Sequence, residues 1–188
     1  MRDLSLHILD MVQNSITAQA TKIKINIAID SQRDYLLLNI SDNGAGMDSD
    51  ILIKAQDPFF TSRKTRKVGL GIPLLKEAAR KCNGNFNIIS EKNGGTKIYA
   101  AFSINNIDRL PIGEIGETLI AAISSNPQIS FILDLNSEKG FFRLDTDEVA
   151  KTLGDVSITE FDILIWLKEY IDEGIKNIFG GVLNEVDS

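Results

Sequence analysis

Apolar residues recur three and four apart at the start of the chain. Leu6, Leu9, Met11, Val12, Ile16 and Ala20 predict an amphipathic helix over residues 3–18 with Asp3 as its N-cap. The period then drops to two. Ile23, Ile25, Ile27 and Ile29 alternate with polar residues, the mark of a half-buried strand over 21–29. A turn at Arg33 and Asp34 leads into a second strand over 35–40, making a hairpin. Beyond it the pattern is irregular: a short helix over 51–55, then a stretch through the basic run 61–67 that predicts a long loop ordered on binding. Leu70, Leu74, Leu75 and Ala78 share one face of a helix running to Cys82 and closed by Asn83-Gly84. Strands over 85–90 and 96–104 follow, joined by a turn at Asn93-Gly94-Gly95. The order α, β, β, loop, α, β, β predicts an α/β sandwich, a mixed sheet covered by helices on one face.

Residues 105–111 read as a linker, which divides the chain into 1–104 and a smaller α+β module over 105–188. In the latter the pattern predicts a helix over 113–124, strands over 129–135 and 141–144, and helices over 147–153 and 158–178. Ser157 and Glu160 have capping-box spacing, and Phe161, Leu164, Ile165, Leu167 and Ile171 form the expected apolar stripe of the last helix.

Composition narrows the classes. With 188 residues, 43% of them hydrophobic, the chain can bury an ordinary core, so disorder is excluded as the main state. No apolar run reaches the roughly 18–20 residues of a membrane span, and the opening Met1-Arg2-Asp3 lacks a secretory pattern. A cytoplasmic protein without a membrane partner is the expectation. Cys82, the single cysteine, is expected as a small buried apolar side chain. The net charge of −6 hides an asymmetry: residues 1–104 carry 14 Lys and Arg against 10 Asp and Glu, and residues 105–188 carry 6 against 16. The +4 part can attract phosphates, whereas the −10 part repels nucleic acid and anionic lipid, which leaves a protein as its expected partner. A helix-turn-helix reading of 147–170 about Gly154 fails on the same ground. Phe161, Trp166 and Tyr170 are expected to pack in a core or against a partner.

Three segments carry candidate chemistry. Asp42-Asn43-Gly44-Ala45-Gly46-Met47 directly follows a strand. The Asp42 carboxylate there could accept from an adenine amino group while Gly46 lets backbone approach the ring; the alternative is a plain tight turn. Val68-Gly69-Leu70-Gly71-Ile72 opens a helix whose N–H groups could cradle phosphates. Asp10 and Asn14 project one turn apart from one helix face. An amide oxygen can ligate Mg²⁺ and a neighbouring carboxylate can polarise an attacking water; the alternative is an ordinary exposed polar face.

Taken together, residues 10–102 resemble the GHKL ATPase superfamily of the Bergerat ATP-binding fold. Asp10-Met-Val-Gln-Asn-Ser15 is similar to its N box, Asp42-Asn-Gly-Ala-Gly46 to its first glycine box and Asp57-Pro-Phe-Phe-Thr61 to the histidine-kinase F box. Gly69-Leu-Gly71 is similar to the second glycine box, and Gly95-Thr96 to the terminal one. The resemblance implies ATP bound with Mg²⁺, Asn14 as metal ligand, Asp42 on the adenine amino group and Thr96 supporting it through water. It also implies nucleotide contacts at Gly44, Gly46, Met47, Phe60, Gly69, Leu70 and Gly71, and a basic lid over the phosphates.

Three positions depart from the histidine-kinase pattern. Asp10 stands where those kinases usually carry Asn and where hydrolysing members and anti-sigma serine kinases carry Glu, which makes it the candidate general base. Thr17 replaces a common phosphate-contacting Lys. Lys67 replaces a lid glycine, so Arg63, Lys64, Arg66 and Lys67 become candidate phosphate contacts; the alternative is an ordinary solvated charged loop. His7, the only histidine, lacks a phosphoacceptor motif, and nine residues precede Asp10, so a conventional two-component sensor kinase is not expected.

The expected function is binding of Mg-ATP, with hydrolysis or phosphoryl transfer to a protein Ser/Thr in a regulatory role. The alternatives are a non-catalytic ATP-sensing adaptor that controls a protein partner and, on the MutL-like Asn14-Ser15 context, a DNA-repair accessory ATPase. A homodimer fits the same resemblance. Over its whole length the chain also resembles, more faintly, stand-alone ATPase-domain proteins encoded beside iron hydrogenase subunits, which implies a hydrogenase-associated partner.

Overall fold

In the computed structural model the described residues are 2–57 and 70–183. Helix α1 (Leu4–Thr17) begins where the Asp3 carboxylate accepts from the Leu6 amide at 3.0 Å. Strands β1 (Lys22–Asp30) and β2 (Tyr35–Asp42) form the antiparallel hairpin, in register Ile25 to Ile40 and Ile27 to Leu38. After α2 (Ser49–Ala55) and α3 (Gly71–Lys81) come β3 (Phe86–Ser90) and β4 (Thr96–Ser103). Then follow α4 (Ile115–Ser125), β5 (Ser130–Ser137), β6 (Gly140–Asp145), α5 (Thr146–Leu153) and α6 (Phe161–Phe179).

All six strands belong to one sheet, ordered β3-β4-β2-β1-β5-β6, mixed because β1 and β5 run parallel. One face is apolar: Ile23, Ile25, Ile27, Leu36, Leu38, Ile40, Ala100 and Phe102 are buried against Ile8, Met11 and Val12 of α1 and Leu75 and Ala79 of α3. Cys82, the C-cap of α3, is fully buried in that core, and burial pushes its thiol pKa up. The opposite face is polar, and there Asp134 of β5 ties the strands together. It lies 2.7 Å from Lys24 of β1 and 2.6 Å from Arg143 of β6.

Strands β5 and β6 do pair with each other, but they extend the first sheet rather than building one of their own. Phe131, Leu133 and Leu135 sit opposite Ile23, Ile25 and Ile27, so the row of buried side chains runs across the boundary at 104 unbroken. Alternation tells which face of a strand is buried and is silent about which edge receives a partner.

Two expectations near α6 are overturned. The helix starts at Phe161, and Ser157 bonds within its own turn, to the Thr159 amide at 3.2 Å, so there is no capping box. The buried stripe is Leu167, Ile171, Ile175 and Ile178, while Phe161 and Ile165 face outward, 74% and 42% exposed. Six of the first seven residues of α6 are apolar, so periodicity alone had no polar face there by which to choose.

Candidate functional site

The C-terminal half of α1, the end of β2, the turn between β3 and β4, and the first residue of α3 converge at one end of the sheet. Asp42, the last residue of β2, is held from two sides. Its Oδ2 accepts from the Ser15 hydroxyl at 2.7 Å and its Oδ1 from the Gly44 amide at 2.8 Å. An ionised carboxylate has about four lone-pair sites, so this half-buried group keeps acceptor capacity for a ligand N–H. Asn43 braces the turn by accepting from the Thr21 and Lys22 amides, both at 2.9 Å.

The glycines around Asp42 are set by backbone crowding. Gly46 has φ +62° and a Cβ there would overlap the Glu91 carbonyl; Gly95 has φ +76° and would overlap the Asp42 carbonyl. Only glycine lets the two turns lie so close. The Ala45 amide donates to Ala18 at 2.8 Å, and the Asn93 amide to Ala45 at 2.7 Å, which stitches α1, the Asp42–Met47 segment and the β3–β4 turn together. Thr96 lies opposite Asp42 in the ladder of β2 and β4, and its hydroxyl is 2.9 Å from that of Ser90. Ser90 also receives the Met47 amide at 2.9 Å and donates to the Gly95 carbonyl at 2.8 Å.

At the other end of the site α3 approaches α1 so closely that a Cβ at Gly71 would overlap the Asp10 carboxylate and come within 2.8 Å of Met11 Cε. Asp10 therefore stands at the N-terminus of α3, where backbone N–H groups lack helical partners. Leu70 is the N-cap of α3, offers no side-chain cap bond and is 42% exposed. Asn14 lies one turn beyond Asp10 and is half-buried; Thr17 bonds back to the Gln13 carbonyl at 2.7 Å. No group of three or more His, Cys, Asp or Glu side chains suited to a metal occurs among the described residues. Phe60, Arg63, Lys64, Arg66, Lys67 and Gly69 lie outside the described residues.

Asp10, Asn14, Asp42, Gly44, Gly46, Met47, Gly71 and Thr96 are thus neighbours along one rim. Sequence reasoning passed over Ser15 and Ser90 as site residues. The signal for Ser15 was a serine four residues after Met11, on the buried stripe of α1, where a hydroxyl needs a partner. His7 is 2% exposed within the helix layer, its Nδ1 without a hydrogen-bond partner among the described residues. Burial, with a smaller contribution from the chain's N-terminal charge, lowers its pKa to about 4 against a weaker opposing pull from Asp3, so the ring is neutral at pH 7.

A one-sided layer of helices on a mixed six-stranded sheet, with this rim at one end, defines an α/β sandwich. Residues 2–106, more than half of the chain, match the family described as histidine kinase-, DNA gyrase B-, and HSP90-like ATPase, and the chain belongs to that family. It therefore carries an ATP-binding domain over this segment. The sensor protein kinase FleS of Pseudomonas aeruginosa is 36% identical over 58 residues, 31% of this chain and 14% of that protein. The sensor histidine kinase YxdK of Bacillus subtilis is 28% identical over 99 residues, 49% of this chain and 30% of that protein. The chain thus covers less than a third of the length of these relatives. Among solved structures, the Aquifex aeolicus MutL ATPase domain complexed with ADP is similar with a TM-score of 0.48 at 15% identity, covering 81% of this chain and 69% of that one. No helix among the described residues is long and apolar enough to cross a membrane.

Proposed function

We propose that the protein binds Mg-ATP along this rim, adenine at Asp42 and phosphates at the start of α3, and that Asp10 activates the attack on the terminal phosphate. The observation that carries this reading is the juxtaposition of Asp10 with Gly71: a carboxylate held at the helix end where phosphates are favoured. In hydrolysis, Asp10 accepts a proton from water as the water oxygen attacks the γ-phosphorus; the bond to the β–γ bridging oxygen breaks and ADP leaves. A partner's Ser or Thr hydroxyl in place of water would make the same site a regulatory protein kinase. Asn14 is the residue to hold Mg²⁺, with waters and phosphate oxygens completing the shell. The donor chemistry suits that ion, since the Asn14 amide supplies a hard oxygen and Asp10 a carboxylate one turn away. Bound there, Mg²⁺ would neutralise charge on the phosphates.

The adaptor reading also has support. Helix α4, itself part of the acidic segment 105–188, packs on α1, and α6 packs on α4, so a nucleotide beside α1 sits one helix contact from that segment and two from α6. In that reading ATP changes the surface offered to a protein partner, whether a hydrogenase-associated protein or another. The test is ATP turnover with Mg²⁺ by the protein and by Asp10→Asn, after calorimetry has measured nucleotide binding by both. Turnover lost with binding kept assigns Asp10 as the base. Tight binding without turnover in either overturns autonomous hydrolysis in favour of a partner-dependent role. No binding in either removes the nucleotide reading altogether.

A further inference from the structure

Helix α6 presents its first half to solvent with the wrong chemistry for a solvated face. Phe161, Ile165, Trp166 and Tyr170 are 74%, 42%, 48% and 38% exposed. Over about 14 Å of helix their spacing sets Phe161 and Ile165 along one flank of the solvent face and Trp166 and Tyr170 along the other, about 100–140° around the axis. The two central rings are held in place. Trp166 stacks on Tyr170 with centroids 5.3 Å apart and planes 8° from parallel, and Tyr170 packs on Phe142 of β6 at 4.9 Å. A surface fixed in this way loses little side-chain entropy when covered. Interleaved with it are the exposed carboxylates Asp162, Glu169 and Glu173, while the adjacent Lys168 is already paired with Asp172 at 2.7 Å.

We propose that this face of α6 is a docking surface for a basic amphipathic segment of a protein partner. The choice of occupant rests on charge. Residues 105–188 carry 16 acidic against 6 basic side chains, so a duplex or an anionic lipid surface is repelled. A second copy of the chain docked symmetrically would set Asp162, Glu169 and Glu173 against themselves. A helix with apolar residues on one side and Lys or Arg along its margins meets both features. Its apolar side covers Phe161 and Ile165, its cations reach the carboxylates, and an Arg can lie over the exposed ring of Trp166. The proposal deepens the partner reading above and does not depend on nucleotide chemistry.

Trp166 is the only tryptophan, so its emission reports the site alone. The experiment titrates the full chain with a synthetic amphipathic helix of leucine and lysine, and with its leucine and glutamate counterpart. Support is a saturable blue shift with the lysine peptide and none with the glutamate peptide. Affinity should fall about tenfold or more both in Phe161→Ser with Ile165→Ser, which keeps the charge, and in Asp162→Asn with Glu169→Gln and Glu173→Gln, which keeps the apolar side. Circular dichroism confirms that each variant is folded. Equal response to the two peptides, wild-type affinity in either folded variant, or binding without a Trp166 shift would overturn the proposal. So would sedimentation showing a dimer of the free protein that Ile165→Ser dissociates, which would give the face to a second copy. Calorimetry with ATP on the same samples separates the two readings. Lost docking with ATP binding intact removes this surface only, and docking without ATP binding removes the nucleotide site only.

Discussion

The hydroxyl of Ser15 donates to Asp42 at 2.7 Å, joining the buried stripe of α1 to the end of β2. This bond, with the Gly44 amide on the other carboxylate oxygen, holds Asp42 from two sides and leaves it acceptor capacity to spare. In the proposed site Asp42 is the group that distinguishes adenine. Asp42→Asn should therefore weaken ATP binding about 10- to 100-fold, the loss expected for a hydrogen bond to a charged group. It should also abolish the preference for ATP over ITP, which lacks the amino group. Ser15→Ala should cost less, about three- to tenfold in Kd, because the Gly44 bond remains. Calorimetric titration of the three proteins with both nucleotides decides this; an Asp42→Asn protein that still prefers ATP would move adenine elsewhere.

Gly71→Ala tests the phosphate end. Alanine favours a helix over glycine by about 1 kcal/mol, so the fold itself should tolerate the change. The new methyl group, however, occupies the place of the Asp10 carboxylate and must push it and Met11 aside. The expected result is a melting temperature within a few degrees of wild type and turnover lowered at least tenfold. A thermal melt paired with a turnover assay reads both. Wild-type turnover would mean that Asp10 need not stand where it does.

Two groups set the acid limb of stability, in separate pH windows. His7 is neutral and buried, with its pKa lowered to about 4 by desolvation. A folded state that binds the proton less readily than the unfolded chain is stabilised above the unfolded pKa and loses that advantage on acidification. Stability should thus fall between about pH 6.5 and 4, by roughly 3 kcal/mol in all. Asp134 acts lower. Burial alone would raise its pKa, but hydrogen bonds from Arg143 and Lys24 outweigh this and hold it below the ordinary value of 3.8. Its contribution is present above that value and is lost as pH falls through the depressed one. Urea denaturation across pH should show His7→Leu flattening the upper window and Asp134→Asn the lower; a limb unchanged in both would assign acid sensitivity to other groups.

Much of the site was legible because its residues have local reasons to be where they are. Asp10 and Asn14 share a helix face by spacing alone, and Asp42 ends the second strand of a hairpin whose first strand, Lys22–Asp30, alternates strictly. Gly46 and Gly95 had to be glycine because two turns cross there. What stayed hidden was tertiary. Ser90 is one polar residue at the end of a short strand, and only the fold brings the Met47 amide to it at 2.9 Å. The parallel pairing of β5 with β1 likewise joins residues about 108 apart in sequence, and no local pattern encodes such an edge.

That pairing leads to a prediction about how the chain unfolds. Strand β5 fills the edge of β1, and Phe131, Leu133 and Leu135 complete the core row begun by Ile23, Ile25 and Ile27. Ile115 and Leu119 of α4 are buried in the same cluster as Leu4 and Ile8 of α1. Cutting the chain after residue 104 would uncover both the apolar row and a long unpaired strand edge, a template for aggregation. A fragment of residues 1–104 is therefore expected to be insoluble or unfolded. In the full chain Leu133→Ala should cost about 2–5 kcal/mol although it lies outside the matched family segment. The decisive measurement is urea unfolding followed at once by Trp166 emission, which reports α6, and by far-ultraviolet circular dichroism, which reports the whole. Coincident midpoints, moved together by Leu133→Ala, mean that one cooperative sheet spans the boundary. Separate midpoints, or a soluble and folded 1–104 fragment, would mean that β5 is docked on a sheet already complete without it.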